Sequence, residues 1–236
     1  MDYVPTAGRL ECRAMKKVVK PKNAEERQKR VRLILRRLNQ DYPNVNCALN
    51  HSNAWQLLAA TILSAQCTDV RVNIVTPDLF QRYPTVHDMA EARQEEVEEY
   101  VKTTGFFRNK AKSLIGAAKR IVSEFGGEVP SNMKDLLTVP GAARKTANVV
   151  LGSWFGKATG VVVDTHVGRI SNRLDLTAHS DPKKIEQDLM EALPKRRWVL
   201  FSHQIIHHGR QVCVARKPRC EKCRLADTCY SPDKTI

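Results

Sequence analysis

The chain has 236 residues and a formal net charge of +14, with 39 lysines and arginines against 25 aspartates and glutamates. This length allows one large domain or two small ones, and so large a basic excess suits the phosphate backbone of a nucleic acid. No apolar run reaches the roughly 18 residues that span a bilayer, and the N-terminal stretch lacks the apolar core of a secretory signal. We therefore expect a cytoplasmic protein, nucleoid-associated if bacterial, that binds nucleic acid and no membrane.

Helical periodicity dominates the chain after a basic N-terminal stretch. Residues 1–25 show no hydrophobic periodicity and are predicted to be a mobile tail. Further along, apolar residues recur at the i, i+3, i+4 spacing that places them on one face of a helix. These predicted helical faces consist of Val31, Ile34, Leu35 and Leu38, then Val97, Tyr100 and Val101, then Leu114, Ile115, Ala118, Ile121, Val122 and Phe125.

Turn and capping residues mark further helices. The Gly-Gly pair at 126–127 predicts a helix end, Ser131 the N-cap of a short helix, and Asp181 followed by Pro182 the start of another. The one β-like run is "GVVVDTHV" at 160–167, and a single strand cannot form a sheet. We therefore predict an all-α fold.

A Pro-Gly turn leads into an alanine-rich helix in "VPGAARKTANVV", residues 139–150, and puts Lys145 in the first helical turn. The partial positive charge of a helix N-terminus disfavours an ammonium group there, and a lysine in its neutral form is a nucleophile. The turn and the start of the helix also present backbone N–H groups that suit a phosphate. The alternative is that Lys145 points into solvent and that the turn merely connects two helices.

Four of the seven cysteines lie close together, as Cys213, Cys220, Cys223 and Cys229, with spacings x6, x2 and x5. The odd total and the tight cluster argue against a disulfide framework and indicate a metal site. Four thiolates bind either a tetrahedral Zn²⁺ ion or an iron–sulfur cluster, and the cysteines alone do not decide between the two.

Two further stretches hold candidate functional residues. Arg216, Lys217 and Arg219 lie between the first two of these cysteines, where they suit phosphate contacts, or form a merely solvated basic loop. Asp164 directly follows an apolar run, a position that suits a partly desolvated base or electrostatic partner. The alternative for Asp164 is an ordinary helix cap or turn residue.

Taken together, five stretches resemble the endonuclease III family, which comprises bifunctional DNA glycosylases of the helix–hairpin–helix superfamily. The similarity is collinear and covers about residues 26–229. In this family the cysteine spacing holds a [4Fe–4S] cluster, so the resemblance implies that cofactor rather than zinc. The stretches are "LSAQCTDVRVN" (63–73), the hairpin segment (139–150), "VVVDTHVGRISNR" (161–173), "HHGRQVC" (207–213) and the C-x6-C-x2-C-x5-C end.

The resemblance also implies a mechanism. Family members flip a damaged pyrimidine out of the duplex, a lysine amine attacks C1′ of its sugar, and a Schiff base forms before β-elimination breaks the strand on the 3′ side. Lys145 matches that lysine, and Asp164 matches the aspartate that stabilises positive charge on the sugar and helps deprotonate the amine. Gln66 matches the residue that fills the gap left by the flipped base, and Phe106 matches the wedge from the other side.

Two positions depart from the family pattern. Phe106 stands where the family commonly has leucine, and a stacked phenyl ring can alter the preference for the opposite base. Ala143 stands where the hairpin usually has a second glycine, and its methyl group can lengthen a contact with phosphate. The remaining predicted DNA contacts are Gly141, Arg144, Arg216 and Lys217.

We thus expect two helical lobes with the DNA groove between them. Residues 47–157 would form a six-helix lobe with the hairpin, and residues 26–46 with 158–236 a discontinuous iron–sulfur lobe. The expected activity is base excision repair by a monomer that removes oxidised pyrimidines from double-stranded DNA and cleaves abasic sites. The alternatives are a non-catalytic DNA-binding protein, a relative specialised for alkylated bases or mismatched thymine, and a redox protein.

Overall fold

The structure, a computed structural model, describes residues 19–236 and is helical throughout, with no β strand in that range. The predicted all-α fold is therefore confirmed. The α-helices of this part are α1 (Ala24–Asp41), α2 (Ala54–Leu63), α3 (Asp69–Arg82), α4 (Val86–Ala90), α5 (Gln94–Val101), α6 (Phe107–Phe125), α7 (Met133–Leu136), α8 (Arg144–Ser153), α9 (Thr165–Arg173), α10 (Pro182–Ala192) and α11 (Trp198–Gln211).

The chain folds as two compact units. Asn46–Thr159 forms the first, called the hairpin unit below. Gly160–Ile236, together with the described residues up to Val45, forms the second, called the cysteine unit. The hairpin unit holds seven α-helices, α2 to α8, of which α4 and α7 are short segments of five and four residues.

The core of the hairpin unit surrounds α2. Leu57, Leu58 and Leu63 of this helix have no exposed surface, and Leu114 of α6 and Leu151 of α8 are equally buried. Burying one such side chain stabilises a fold by about 1.5–3 kcal/mol. Because α8 packs on α2, the start of α8 has a fixed position within this unit.

In the cysteine unit, α11 is the central helix, and both α1 and α9 pack on it. Phe201 and Ile205 of α11 are fully buried, as are Ile34 and Leu38 on the predicted apolar face of α1, to within 1%. The β-like run at 160–167 forms no strand. Its Val162 is buried, and its N–H donates to Ser202 Oγ of α11 over 3.1 Å instead of to a neighbouring strand.

The N-cap of the short helix α7 is Asn132, and the prediction of Ser131 is wrong by one residue. Asn132 Oδ1 accepts the N–H of Asp135 over 3.0 Å. Ser131 Oγ instead accepts from Lys157 Nζ over 2.8 Å, so its hydroxyl is used in a tertiary contact. Asp181 and Pro182 do begin α10 as predicted, with Asp181 Oδ1 accepting from the first turn.

The predicted mobile tail over 1–25 is too long. Asn23 is the N-cap of α1, and its Oδ1 accepts a first-turn N–H over 2.9 Å. Lys20 Nζ lies 2.9 Å from Asp175 Oδ1 in an exposed ion pair. Residues 23–25 are therefore the N-cap and the start of α1 rather than part of a tail. The prediction for residues 1–18 lies outside the described residues.

Candidate active site

The hairpin that precedes α8 is seated against two other helices of its unit. Gly141 has φ +79°, and a Cβ there would lie 3.1 Å from Ser113 Cβ and 3.3 Å from Ile62. Pro140 packs on Gly116 of α6, where a Cβ would be 3.3 Å from the proline ring. The left-handed backbone thus favours glycine at 141, and any side chain there would also press on Ser113 and Ile62.

The start of α8 lacks a capping side chain. Ala143 is the N-cap with φ −68° and ψ 169°, an ordinary extended conformation that does not require glycine. Because alanine has no side-chain acceptor, the N-terminus of α8 suits an external anion. Lys145 lies in the first turn of this helix as predicted, and its side chain is exposed. Arg144 is half-buried.

Asp164 is the N-cap of α9 in the cysteine unit. Its Oδ1 accepts the N–H of Val167 over 2.8 Å, and the residue is half-buried behind the buried Val161 and Val162. The structure thus shows the capping role that the sequence left open. Capping uses one carboxylate oxygen, so it is compatible with a second role for the other oxygen.

Left-handed backbone marks several of the predicted DNA contacts. Among residues 19–236, four non-glycine residues have positive φ, and Gln66 (+52°), Phe106 (+49°) and Lys217 (+51°) are three of them, with Asp175 the fourth. Each such residue costs of order 1–3 kcal/mol, and strain of this kind concentrates at functional sites. Gln66 and Lys217 are exposed, and Phe106 is 63% exposed despite its apolar ring.

The four clustered cysteines line one cavity of the cysteine unit. Arg173 Nη1 lies 3.2 Å from Cys213 Sγ and donates to it. Burial raises the pKa of the Cys223 thiol to about 12. Within residues 19–236 no group of three or more His, Cys, Asp or Glu side chains converges as the ligands of a single metal ion do. Beside the four thiols, the cavity is lined by charged residues that include Arg173, Arg219 and Lys234.

Comparison with known proteins decides the family. Residues 59–195 match the model of the HhH-GPD superfamily base excision DNA repair protein. Over 207 residues the chain is 56% identical to endonuclease III of Synechocystis sp., which covers 88% of this chain and 93% of that protein. The chain belongs to the endonuclease III family.

Further relatives agree with this assignment and confirm the resemblance. Endonuclease III of Escherichia coli is 39% identical over 201 residues, which cover 85% of this chain and 95% of the relative. A solved structure of a trapped endonuclease III–DNA covalent intermediate superposes with a TM-score of 0.82 at 38% identity, over 86% of this chain and 95% of that one. Like its family, this chain is a base excision repair enzyme, a DNA glycosylase with abasic-site lyase activity.

Three buried or half-buried residues with polar contacts were not singled out from the sequence, namely Lys110, Arg173 and His208. Lys110 is only 5% exposed, and its Nζ donates to Thr104 O over 2.7 Å, which anchors the loop before Phe106. A lysine four residues before Leu114, on the apolar face of α6, was the available signal. Arg173 and His208 lie in stretches that resemble the family, but the sequence does not show that they contact cysteine sulfurs 40 and 15 positions further along the chain.

The basic loop of the cysteine unit carries its charges on the outside. Arg216, Lys217 and Arg219 are all exposed, and the guanidinium of Arg219 also donates to Gln211 O over 3.2 Å. Arg219 therefore stabilises the loop at its base. None of the helices in residues 19–236 is long and apolar enough to cross a membrane.

Proposed function

We propose that this enzyme excises oxidised pyrimidines from duplex DNA and cleaves the resulting abasic site, with Lys145 as the nucleophile. The observation that carries the proposal is the placement of Lys145 in the first turn of α8, directly after a Pro-Gly hairpin and an N-cap with no capping side chain. The similar protein solved as a trapped endonuclease III–DNA covalent intermediate supports covalent chemistry.

The proposed reaction begins with attack of the neutral Lys145 amine on C1′ of the damaged nucleotide. The N-glycosidic bond breaks, the base leaves, and the opened sugar forms a Schiff base with Nζ. Loss of a C2′ proton then expels the 3′ phosphate by β-elimination. The neutral form is required because an ammonium group has no lone pair with which to attack.

We assign two tasks to Asp164. Its carboxylate stabilises the positive charge that develops on the sugar as the base departs, and it accepts a proton from the attacking amine. The capping bond to Val167 N–H holds the carboxylate in one orientation at the start of α9. A single side chain would thus hold the helix start in place and take part in the chemistry.

The DNA contacts divide into those that fill the gap and those that bind the backbone. We propose that Gln66 and Phe106 occupy the space left by the extruded base, because both sit exposed on strained backbone. The hairpin and the basic loop would bind phosphates and position the duplex without reading its sequence. The proposed phosphate contacts are Gly141, Ala143, Arg144, Arg216 and Lys217.

The four cysteines are proposed to hold the [4Fe–4S] cluster of the family. Thiols that face a common cavity, together with an arginine that donates to one of them, fit a cofactor bound by thiolates and carrying negative charge. When bound, the cluster would cross-link the segment between Cys213 and Cys229 and so fix the basic loop. We place the enzyme in the cytoplasm, with the nucleoid if the source is bacterial.

Borohydride trapping on duplex DNA that carries thymine glycol tests this function. Borohydride reduces a Schiff base to a stable amine, so the active enzyme is expected to become covalently linked to the substrate. A parallel reaction on an abasic site separates base removal from strand cleavage. If neither substrate gives an adduct, the chain is a non-catalytic or differently specialised DNA-binding relative.

The exchange Phe106→Leu is expected to change the preference for the opposite base. Stacking of an aromatic ring on a base contributes about 1–3 kcal/mol, so relative turnover opposite the four bases should change by roughly fivefold or more at one of them. The measurement is turnover of one lesion paired in turn with each base. Identical profiles for the variant and the wild type would show that the ring does not stack.

The exchange Ala143→Gly is expected to tighten binding to an abasic-site analogue several-fold. Removing the methyl group lets the backbone approach a phosphate, and glycine is the better N-cap of the two. Ala142→Gly is the matched control, because the Ala142 methyl is 4% exposed and packs inside the unit. Equal affinity of the Ala143→Gly variant and the wild type would remove the proposed contact.

A further inference from the structure

A buried histidine contacts one of the four cysteines. His208 Nε2 lies 3.6 Å from Cys223 Sγ, within the range of a hydrogen bond to sulfur. His208 is 2% exposed and lies on α11, the central helix of the cysteine unit. It is therefore held by packing, and it reaches Cys223 from the inside of the unit.

The other ring nitrogen of this histidine has a partner of its own. Tyr42, the C-cap residue that follows α1, places its hydroxyl oxygen 3.2 Å from His208 Nδ1. Tyr42 is 8% exposed, and its ring meets the imidazole edge-on with the centroids 6.0 Å apart. Its carbonyl accepts from Gln204 Nε2 over 3.0 Å, so α11 holds both the backbone and the side chain of this residue.

The direction of these hydrogen bonds follows from the chemistry of the partners. A thiolate that ligates iron is only an acceptor, so the hydrogen between Nε2 and Sγ has to belong to His208. A neutral imidazole with its proton on Nε2 accepts at Nδ1, and the Tyr42 hydroxyl is the donor that supplies this bond. Burial raises the pKa of Tyr42 well above its usual value, which keeps that hydroxyl protonated.

We propose that Tyr42 and His208 form a positioning relay that directs an N–H donor at Cys223 and thereby raises the reduction potential of the bound cluster. The inference rests on the proposed function, since it requires the four cysteines to hold the cluster. Neither residue ligates the cluster or touches DNA in this role. Tyr42 selects the tautomer of His208, and His208 donates to the sulfur.

The physical effect is electrostatic. Reduction adds one electron to the cluster and spreads negative charge onto its thiolate ligands. A donor aimed at one thiolate stabilises the reduced state more than the oxidised state. Without that donor, the potential moves to a more negative value.

The test is a redox titration of the iron-loaded enzyme, followed by the visible absorbance of the cluster. Tyr42→Phe removes only the hydroxyl and is expected to shift the potential to a more negative value. His208→Leu removes the donor itself and should shift it further. His208→Gln places a side-chain amide N–H at a similar distance from Cys223 Sγ, so this variant should keep most of the wild-type potential.

Tyr230→Phe is the matched control. Tyr230 follows Cys229 directly in the chain, but its hydroxyl donates to Val19 O. The reduction potential of the cluster in this variant is expected to equal that of the wild type. If Tyr42→Phe and His208→Leu both leave the potential unchanged, the relay is refuted. Should His208→Leu fail to fold, Tyr42→Phe alone decides. A wild-type protein that binds no iron would instead refute the proposed cofactor.

Discussion

Replacing Lys145 with glutamine is expected to abolish covalent trapping by borohydride and to lower turnover of thymine glycol by about 10⁴-fold or more. Glutamine has no amine, so no Schiff base can form at this position. The side chain is exposed in the first turn of α8, and its positive charge opposes the helix dipole there. The variant should therefore be as stable as the wild type in thermal unfolding.

Lys134→Gln is the matched control for this experiment. Lys134 is an exposed lysine of α7, in the same unit, and has no proposed role. Both variants lose one positive charge, so any general weakening of DNA binding appears in both. Trapping that persists in Lys145→Gln, at a level near that of Lys134→Gln, would mean that another amine is the nucleophile.

Replacing Asp164 separates its capping role from its proposed role in the chemistry. Serine is as good an N-cap as aspartate, so Asp164→Ser should keep the free energy of unfolding within about 0.5 kcal/mol of the wild type. It lacks the carboxylate, so base removal should slow by about 10²–10⁴-fold. Asp164→Ala should show the same loss of activity and a further loss of about 1 kcal/mol in stability.

The two measurements are single-turnover base removal and thermal or denaturant unfolding, made on the same preparations. The informative comparison is between the serine and alanine variants. Full activity of Asp164→Ser would mean that the residue serves the structure alone, through its bond to Val167 N–H. The alternative left open by the sequence would then be correct.

Local patterns of the sequence determined much of the helical architecture. The apolar face of α1 follows from the spacing of Ile34 and Leu38, because a helix repeats every 3.6 residues. Asp181 and Pro182 begin α10, since both residues act on the backbone next to them. Five stretches taken together, among them the cysteine spacing and the segment around Lys145, indicated the family, whose membership the comparisons confirm.

Contacts between distant residues were decided by the tertiary structure. Asn132 rather than the predicted Ser131 caps α7, because the Ser131 hydroxyl accepts from Lys157, 26 residues away. Tyr42 contacts His208, 166 residues further along the chain, because α1 and α11 pack together.

The sequence by itself determined which residue types are available, where some helices begin, as α10 does, and which family the chain resembles. The tertiary structure decided the strained backbone at Gln66 and Phe106, the buried amine of Lys110 and the donors aimed at the cysteines. The physical reason is the range of the interactions. Caps and periodicity act over one or two turns, whereas burial and hydrogen bonds between helices depend on which surfaces the whole fold brings into contact.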